Sequence, residues 1–351
     1  MVWTKGFGTL GAVKKASAWP TPVVLGAGDG FEYTAESIAS RAEFIADKQL
    51  NGTSTTLFGD KGNESHNGQI MMDAKYQGLE VPLAMVMGTA GAPVLQGSGV
   101  YKHVIKLAND REGKFATLGF DKQVEIWEYA NAKFHGFEFS SAPNNERAKL
   151  AFDVIAHKLN RNTGAGTNTQ ATFASVTIPS VREFLLFSQL EILCNDQSGG
   201  ALGSSDEIYV GEFTMKVAGN MEGDYTTEYG DKVDEPLQNE FTEVTGGIKF
   251  PKYGTANSAF YGESLTKTRK KMIATFTGNI AGGSYNYKMI FYFPDVQWSD
   301  GSTNVGGPGK APLDLTFKAN RVLAIPTGFP TGYTDALTLE LFNMRSTDPL
   351  A

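Results

Sequence analysis

At 351 residues the chain is long enough for two domains of the usual size, about 100–200 residues each. Its 38 acidic against 31 basic residues exclude a whole-protein attraction to phosphate, so tight nucleic-acid binding would need a local basic patch. Forty glycines and 14 prolines with only 20% charged residues describe a chain that turns often and is mainly β, and the lone Cys194 excludes an intrachain disulfide.

In chain order, residues 1–30 are Gly- and Ala-rich and read as an extended arm. Lys14 and Lys15 are followed by ASAWPTPVV, whose two prolines interrupt any apolar export signal, so a soluble, non-exported chain is expected. In PVVLGAGDGF (22–31), Gly26, Gly28 and Gly30 imitate a dinucleotide fingerprint, but Phe31 stands where the third glycine belongs and no βαβ sequel follows. Residues 35–48 are helical by propensity. The sequon patterns at Asn51 and Asn63 read as turn chemistry. Residues 78–87, GLEVPLAMVM, predict a short helix, and the uncharged run 81–100 is broken by glycines and two prolines into a buried segment plus loop rather than a membrane span.

Further on, RNTGAGTNTQ (161–170) has the composition of a linker. Phe213, Met215 and Val217 alternate with Glu212, Thr214 and Lys216 as a half-buried strand requires, and Leu313, Leu315, Phe317 and Ala319 repeat the pattern. Residues 263–272 predict a second short helix. Its basic run 267–271, KTRKK, reads as a solvated turn or helix face. In YKMIFYF (287–293) apolar residues on both faces predict a strand covered on two sides, a partner subunit being one way to cover it.

Catalytic signatures are absent from these patterns. His66, His103, His135 and His157 lack metal-type spacing. Around GGPGKAP (306–312) a phosphate loop fails at Asn304 and Ala311. A dispersed glycosidase carboxylate pair has no spacing signature, so sequence leaves it open. No catalytic, cofactor or metal residue is assigned, and a non-enzymatic protein is expected.

The informative feature is a repetition. TTLFGDK at 55–61 and TTEYGDK at 226–232 share five of seven residues, and Phe58 and Tyr229 both keep a ring. YQGL (76–79) lines up with TGGI (245–248), and LAFDVIAHK (150–158) with LTFKANR (315–321). A duplicated unit of roughly 160 residues follows, with domains at 31–165 and 166–325 and arms at 1–30 and 326–351. Two polar insertions, 47–69 and 219–247, exceed the usual hairpin loop of about two to five residues.

On 51–79 (NGTSTTLFGDKGNESHNGQIMMDAKYQGL), 190–217 (LEILCNDQSGGALGSSDEIYVGEFTMKV), GDKVDEP, FPKYG and the ending NMRSTDPL, the chain resembles the tail tube (major tail) proteins of long-tailed, siphovirus-type bacteriophages, in the form with a duplicated tube domain. The resemblance implies two tandem β-sandwich domains, each with a short helix, and a strand at 35–48 in place of the helix. It further implies a structural virion protein, made in the host cytoplasm, that stacks rings into the tube conducting DNA. Implied partners are copies of itself, in rings of three with a pseudo-sixfold lumen, the tape-measure protein, and the tail-tip and tail-terminator proteins. DNA would pass without specific binding, through a lumen of net negative charge, and no cofactor is implied. The arms would reach neighbouring subunits. The ring-stacking positions would be Thr55, Phe58, Asp60, Lys61, Glu64 and His66 in the first insertion and Tyr225, Tyr229, Asp231 and Lys232 in the second. Without the resemblance, the residues also fit a two-domain β-sandwich module binding a carbohydrate or a surface.

Overall fold

The computed structural model describes residues 5–49, 54–55, 58–161 and 173–351; the linker-like residues 162–170 lie outside it. The first half holds β1 (Leu10–Lys15), β2 (Gly30–Phe31), β3 (Ala35–Glu36), β4 (Ala39–Ile45), β5 (Asp60–Asp73), α1 (Glu80–Met87), β6 (Gly88–Ala90), β7 (Val94–Gly97), β8 (Val100–Leu107), β9 (Ala116–Asp121), β10 (Ile126–Ser141) and β11 (Lys149–Arg161). In the second are β12 (Leu190–Asp196), β13 (Glu212–Ala218), β14 (Met221–Glu222), β15 (Leu237–Gln238), β16 (Glu243–Phe250), α2 (Ser258–Thr266), β17 (Arg269–Gly282), β18 (Tyr285–Ser302), β19 (Leu313–Ala319) and β20 (Thr338–Asn343).

One antiparallel pairing order occurs twice. In the first half β1, β9, β10, β11, β5 and β4 are neighbours in that sequence. In the second the order is β12, β17, β18, β19, β16 and β13. Both run through the chain identically, with the helix between the fifth-placed strand and the second-placed one. The repeated heptapeptides therefore sit in equivalent connections, β4 to β5 and β13 to β16, and β11 corresponds to β19 as the LAFDVIAHK and LTFKANR match expects. The YQGL and TGGI match does not hold. YQGL follows the end of β5, whereas Thr245–Ile248 lies inside β16, because the intervening turns differ in length.

The two halves share one sheet. The first part of β10 pairs with β9, and its second part pairs with β13, from Gly136 opposite Ala218 to Ser141 opposite Phe213. β20 lies between β18 and β8, closing a second junction. Core packing follows the same route: the ring of Phe139 lies 6.1 Å from Phe213, 5.5 Å from Phe276 and 5.3 Å from Phe291, all in the second half. Burying a side chain of this size stabilises by about 1.5–3 kcal/mol, so this cluster binds the halves as strongly as it binds either one.

Several expectations are corrected. Residues 35–36 and 39–45 form strands, so tertiary context overrides the helical propensity of this stretch. α2 ends at Thr266, since Lys267 is left-handed at φ 56°, and Met272, Ala274 and Phe276 then point inward with strand periodicity. The basic run is accordingly no solvated helix face. Arg269 makes a two-pronged bond to Asp295 at 2.9 and 3.0 Å, Lys270 bridges Asp196 and Glu263, and Lys271 donates to Gly199 O and Thr327 O. The arms are not free extensions: Ala12 and Val13 bury β1 against the core, and β20 is a central strand. On β18, Tyr287, Met289, Phe291 and Phe293 are buried, and on the other face Tyr292 meets the chain's own Phe329 and Tyr333. Residues 60–69 of the first insertion belong to β5.

Candidate functional site

The two insertions behave differently although they share a motif. The second leaves the body after Ala218, forms the short β14–β15 ladder, and turns at Gly230, whose φ of 64° is a conformation glycine adopts without strain. It then lies across the first half, anchored at successive points. Gly219 N donates to His135 O at 2.7 Å. The buried Arg111 guanidinium donates to Val86 O (3.2 Å), Gly219 O (3.2 Å), Gln238 Oε1 (3.1 Å) and Thr242 Oγ1. Lys133, fully buried, donates to Arg111 O at 2.6 Å and to the Glu235 carboxylate, which also accepts from Gly113 N. A buried cation is costly unless compensated: Lys133 is paired with the Glu235 carboxylate, whereas Arg111 is met by neutral acceptors, and burial pushes its guanidinium down to about 10.

Farther out, His157 Nδ1 donates to Val233 O at 2.6 Å, and its ring meets Tyr229 edge-on at 5.4 Å and Trp19 at 5.5 Å. At the end the two repeated motifs meet. Lys61 Nζ reaches Asp231 Oδ2 at 2.7 Å and also bonds Glu64; Lys232 Nζ lies 3.0 Å from Glu64 Oε2 and 2.5 Å from Asp231 Oδ1. The backbone joins in, with Glu64 N donating to Asp231 O at 2.8 Å and Tyr225 OH donating to Glu64 O at 2.9 Å. His66 is buried beneath, its Nε2 3.5 Å from Glu64 Oε2.

The electrostatics follow from this packing. Hydrogen bonds from Lys232 and Lys61 hold the Asp231 carboxyl well below its usual range. Burial alone would raise Glu64, but the same two lysines outweigh it and the net shift is downward. Burial pushes His66 below the usual imidazole value against the opposing pull of Glu64, and burial likewise lowers His157 against its bond to Val233 O. The clasp is therefore built for carboxylates charged and imidazoles neutral.

Of the positions expected from sequence, Lys61, Glu64, His66, Tyr225, Tyr229, Asp231 and Lys232 are brought together in this clasp. Thr55, Phe58 and Asp60 are not; all three are exposed, Phe58 by 83%. Sequence reasoning missed Arg111, Lys133, His157 and Trp19. Lys133 carried a signal, being a lone charge inside the otherwise uncharged YANAKFHGF.

A second feature is a trough of 660 Å³ on the solvent side of the sheet, where β5, β11, β10, β13, β16, β19 and β18 lie side by side across both halves. Its hydroxyls come from Thr34, Ser140, Thr214, Thr245, Ser299 and Thr316. The lysines of this face are matched by carboxylates: Lys149 with Asp73 at 3.0 Å, Lys216 with Glu138 at 2.5 Å, Lys249 with Asp314 at 3.4 Å and Lys318 with Glu243 at 2.6 Å. Among the described residues no group of three or more His, Cys, Asp or Glu is placed to hold a metal ion. No family model matches the chain, and no curated protein matches it significantly.

Proposed function

We propose that the chain is a structural subunit that joins head to tail into closed rings, three chains to a ring, which stack into a hollow phage tail tube. Each half serves as one tandem tube domain. One observation carries the reading. In the first half, the second part of β10 is paired by β13. The equivalent stretch of β18 begins at Trp298, one residue beyond the last pair with β17, Arg269 opposite Gln297, and no described strand pairs it on that side. The counterparts of β13 are β3 and β4, which pair with β5 on one side and with no described strand on the other. An open edge and its matching strand on one chain are what a heterologous, ring-closing interface needs, and open edges invite pairing. Transferring the register of Ser140 opposite Thr214 sets Ser302 of one chain opposite Ala35 of the next.

The trough face then lines the lumen. Its lysines already have carboxylate partners, so it presents little to hold phosphate, as a conduit requires. Electron microscopy and native mass measurement of the concentrated protein test the reading: rings of three chains and tubes are expected, with negligible retention of duplex DNA at low salt. Rings of six chains would overturn the threefold count, and a monomer at every concentration would overturn assembly. The trough's hydroxyls also suit a sugar-binding module, for which a sugar-dependent thermal shift of such a monomer would be the sign.

A further inference from the structure

We infer that Lys267 is the cation that ties each strand joint of the ring, its ammonium reaching from the cap of α2 to the backbone of the neighbouring copy at Ala39–Ser40. The inference rests on the head-to-tail reading and names a residue that completes the joint. Its template is the joint inside the chain. There α1 ends at Gly88, left-handed at φ 85°, and a Cβ on that glycine would lie 2.5 Å from Arg111 Cγ, so the Arg111 stem fills the place a cap side chain would take. From that place the guanidinium donates to Val86 O in the last turn of α1 and, across the joint, to Gly219 O, the residue that follows β13.

At the open edge the same place is filled differently. β6, β7 and β8, after which Arg111 comes, have no counterpart between α2 and β17. The cap of α2 is instead Lys267, left-handed at φ 56°. A residue other than glycine is strained there, and strain of this kind clusters at functional positions. The Lys267 side chain supplies what Arg111 supplies, a cation beside the helix cap. Its Nζ donates to Trp298 O at 3.2 Å and Ser299 O at 2.7 Å, where the unpaired stretch of β18 begins, and Gln297 Nε2 donates back to Lys267 O at 3.1 Å. Like Arg111, it is met by neutral oxygens. An ammonium has three N–H donors, and these bonds use two. The template aims the third. Leu150 matches Leu315, so Ala39 and Ser40 correspond to Ala218 and Gly219, and the register that sets Ser302 opposite Ala35 lays Ser40 of the next chain beside the α2 cap. Ser40 O then accepts as Gly219 O does, a charge-assisted bond that adds to the ladder a contact possible at one register only.

Two readouts separate this inference from the reading beneath it. Ala35→Cys with Ser302→Cys, Cys194 being buried, reports the strand joint: oxidation should give covalent oligomers ending at ring size. Without those cysteines, Lys267→Gly should leave the melting temperature unmoved or slightly raised, since glycine suits φ 56°. It should raise the concentration at which half of the chains are in rings by roughly tenfold or more, and Lys267→Arg should restore it. An amine-to-thiol cross-linker on Ser40→Cys, with the lysine kept, should join Lys267 to the introduced thiol of the next chain. Rings from Lys267→Gly at the wild-type concentration would overturn the inference; rings at a lower concentration would also overturn it, showing that the ammonium guards the edge against pairing. So would an Ala35–Ser302 link without the Lys267–Ser40 one, the measurement that decides if Lys267→Gly melts lower. If the Ala35–Ser302 pair never links, the head-to-tail reading falls and the role of Lys267 with it.

Discussion

The joint between β10 and β13 and the edge of β18 are two versions of one design, and they differ in what lies against them. At the first, a strand completes the ladder, an insertion covers the joint, and buried Arg111 and Lys133 tie it down. At the second, Lys267 Nζ donates to Trp298 O and Ser299 O at the edge, and Phe44 and Phe58 on the matching side are exposed. The motif is nearly the same in both insertions. The second insertion is held by the partner half that the chain itself supplies, through contacts that run from Gly219 to Asp231.

The largest effect is expected from breaking the completed joint. Phe139→Ala removes the ring that three second-half rings surround and should cost about 3–5 kcal/mol in urea unfolding. Both halves should lose structure in a single transition; two separated transitions would show that the joint does not couple them. Next, Arg111→Leu leaves several carbonyl and side-chain acceptors without their charged donor, a loss of on the order of 3 kcal/mol. Amide exchange across 219–242 should then rise, and unchanged protection would sink the anchoring role.

Acid should loosen the clasp without substitution. The pKa values of His66 and His157 are lowered on folding, so their contribution is present above the ordinary imidazole value near 6.5 and is lost as pH falls through the lowered ones. Glu64 and Asp231, also lowered, add a second loss below the usual carboxylate range. Protection at the amides of residues 229–233, taken against the intrinsic exchange rate at each pH, should therefore fall on going from pH 7 to 5, and His66→Phe should blunt that fall. Smallest of all, Lys61→Ala removes an exposed ion pair and should leave the melting temperature unmoved while raising exchange only at Glu64 and its neighbours.

Much of this was legible in the residues. Alternation at 213–217 and 313–319 reports the core face directly, and the heptapeptides mark equivalent connections because duplicated turns keep their glycine and capping chemistry. The second helix was misplaced because Lys and Arg at 267–271 are good helix formers by propensity, and it is the inward set from Met272 onward that decides for strand. The meeting of Lys61 with Asp231 was not legible, since 170 positions separate them and only the β10–β13 ladder brings them close. The burial of β20 was hidden for a related reason: TLELFN alternates weakly, and its place is set by strands far back in the chain.

That last strand imposes an order in time. The Arg345 carbonyl accepts from His103 across 242 positions, and β8 pairs with β20 along its length. At about 5–20 residues per second of synthesis, β8 emerges roughly ten to fifty seconds before the strand that covers it exists. Its edge stays bare through that interval, as does the matching side of β18 once made, so the fold has a high contact order and this part of the sheet closes only once β20 has been made. A nascent chain therefore carries unpaired edges that the folded one does not, and its risk of pairing wrongly is greatest before β20 arrives.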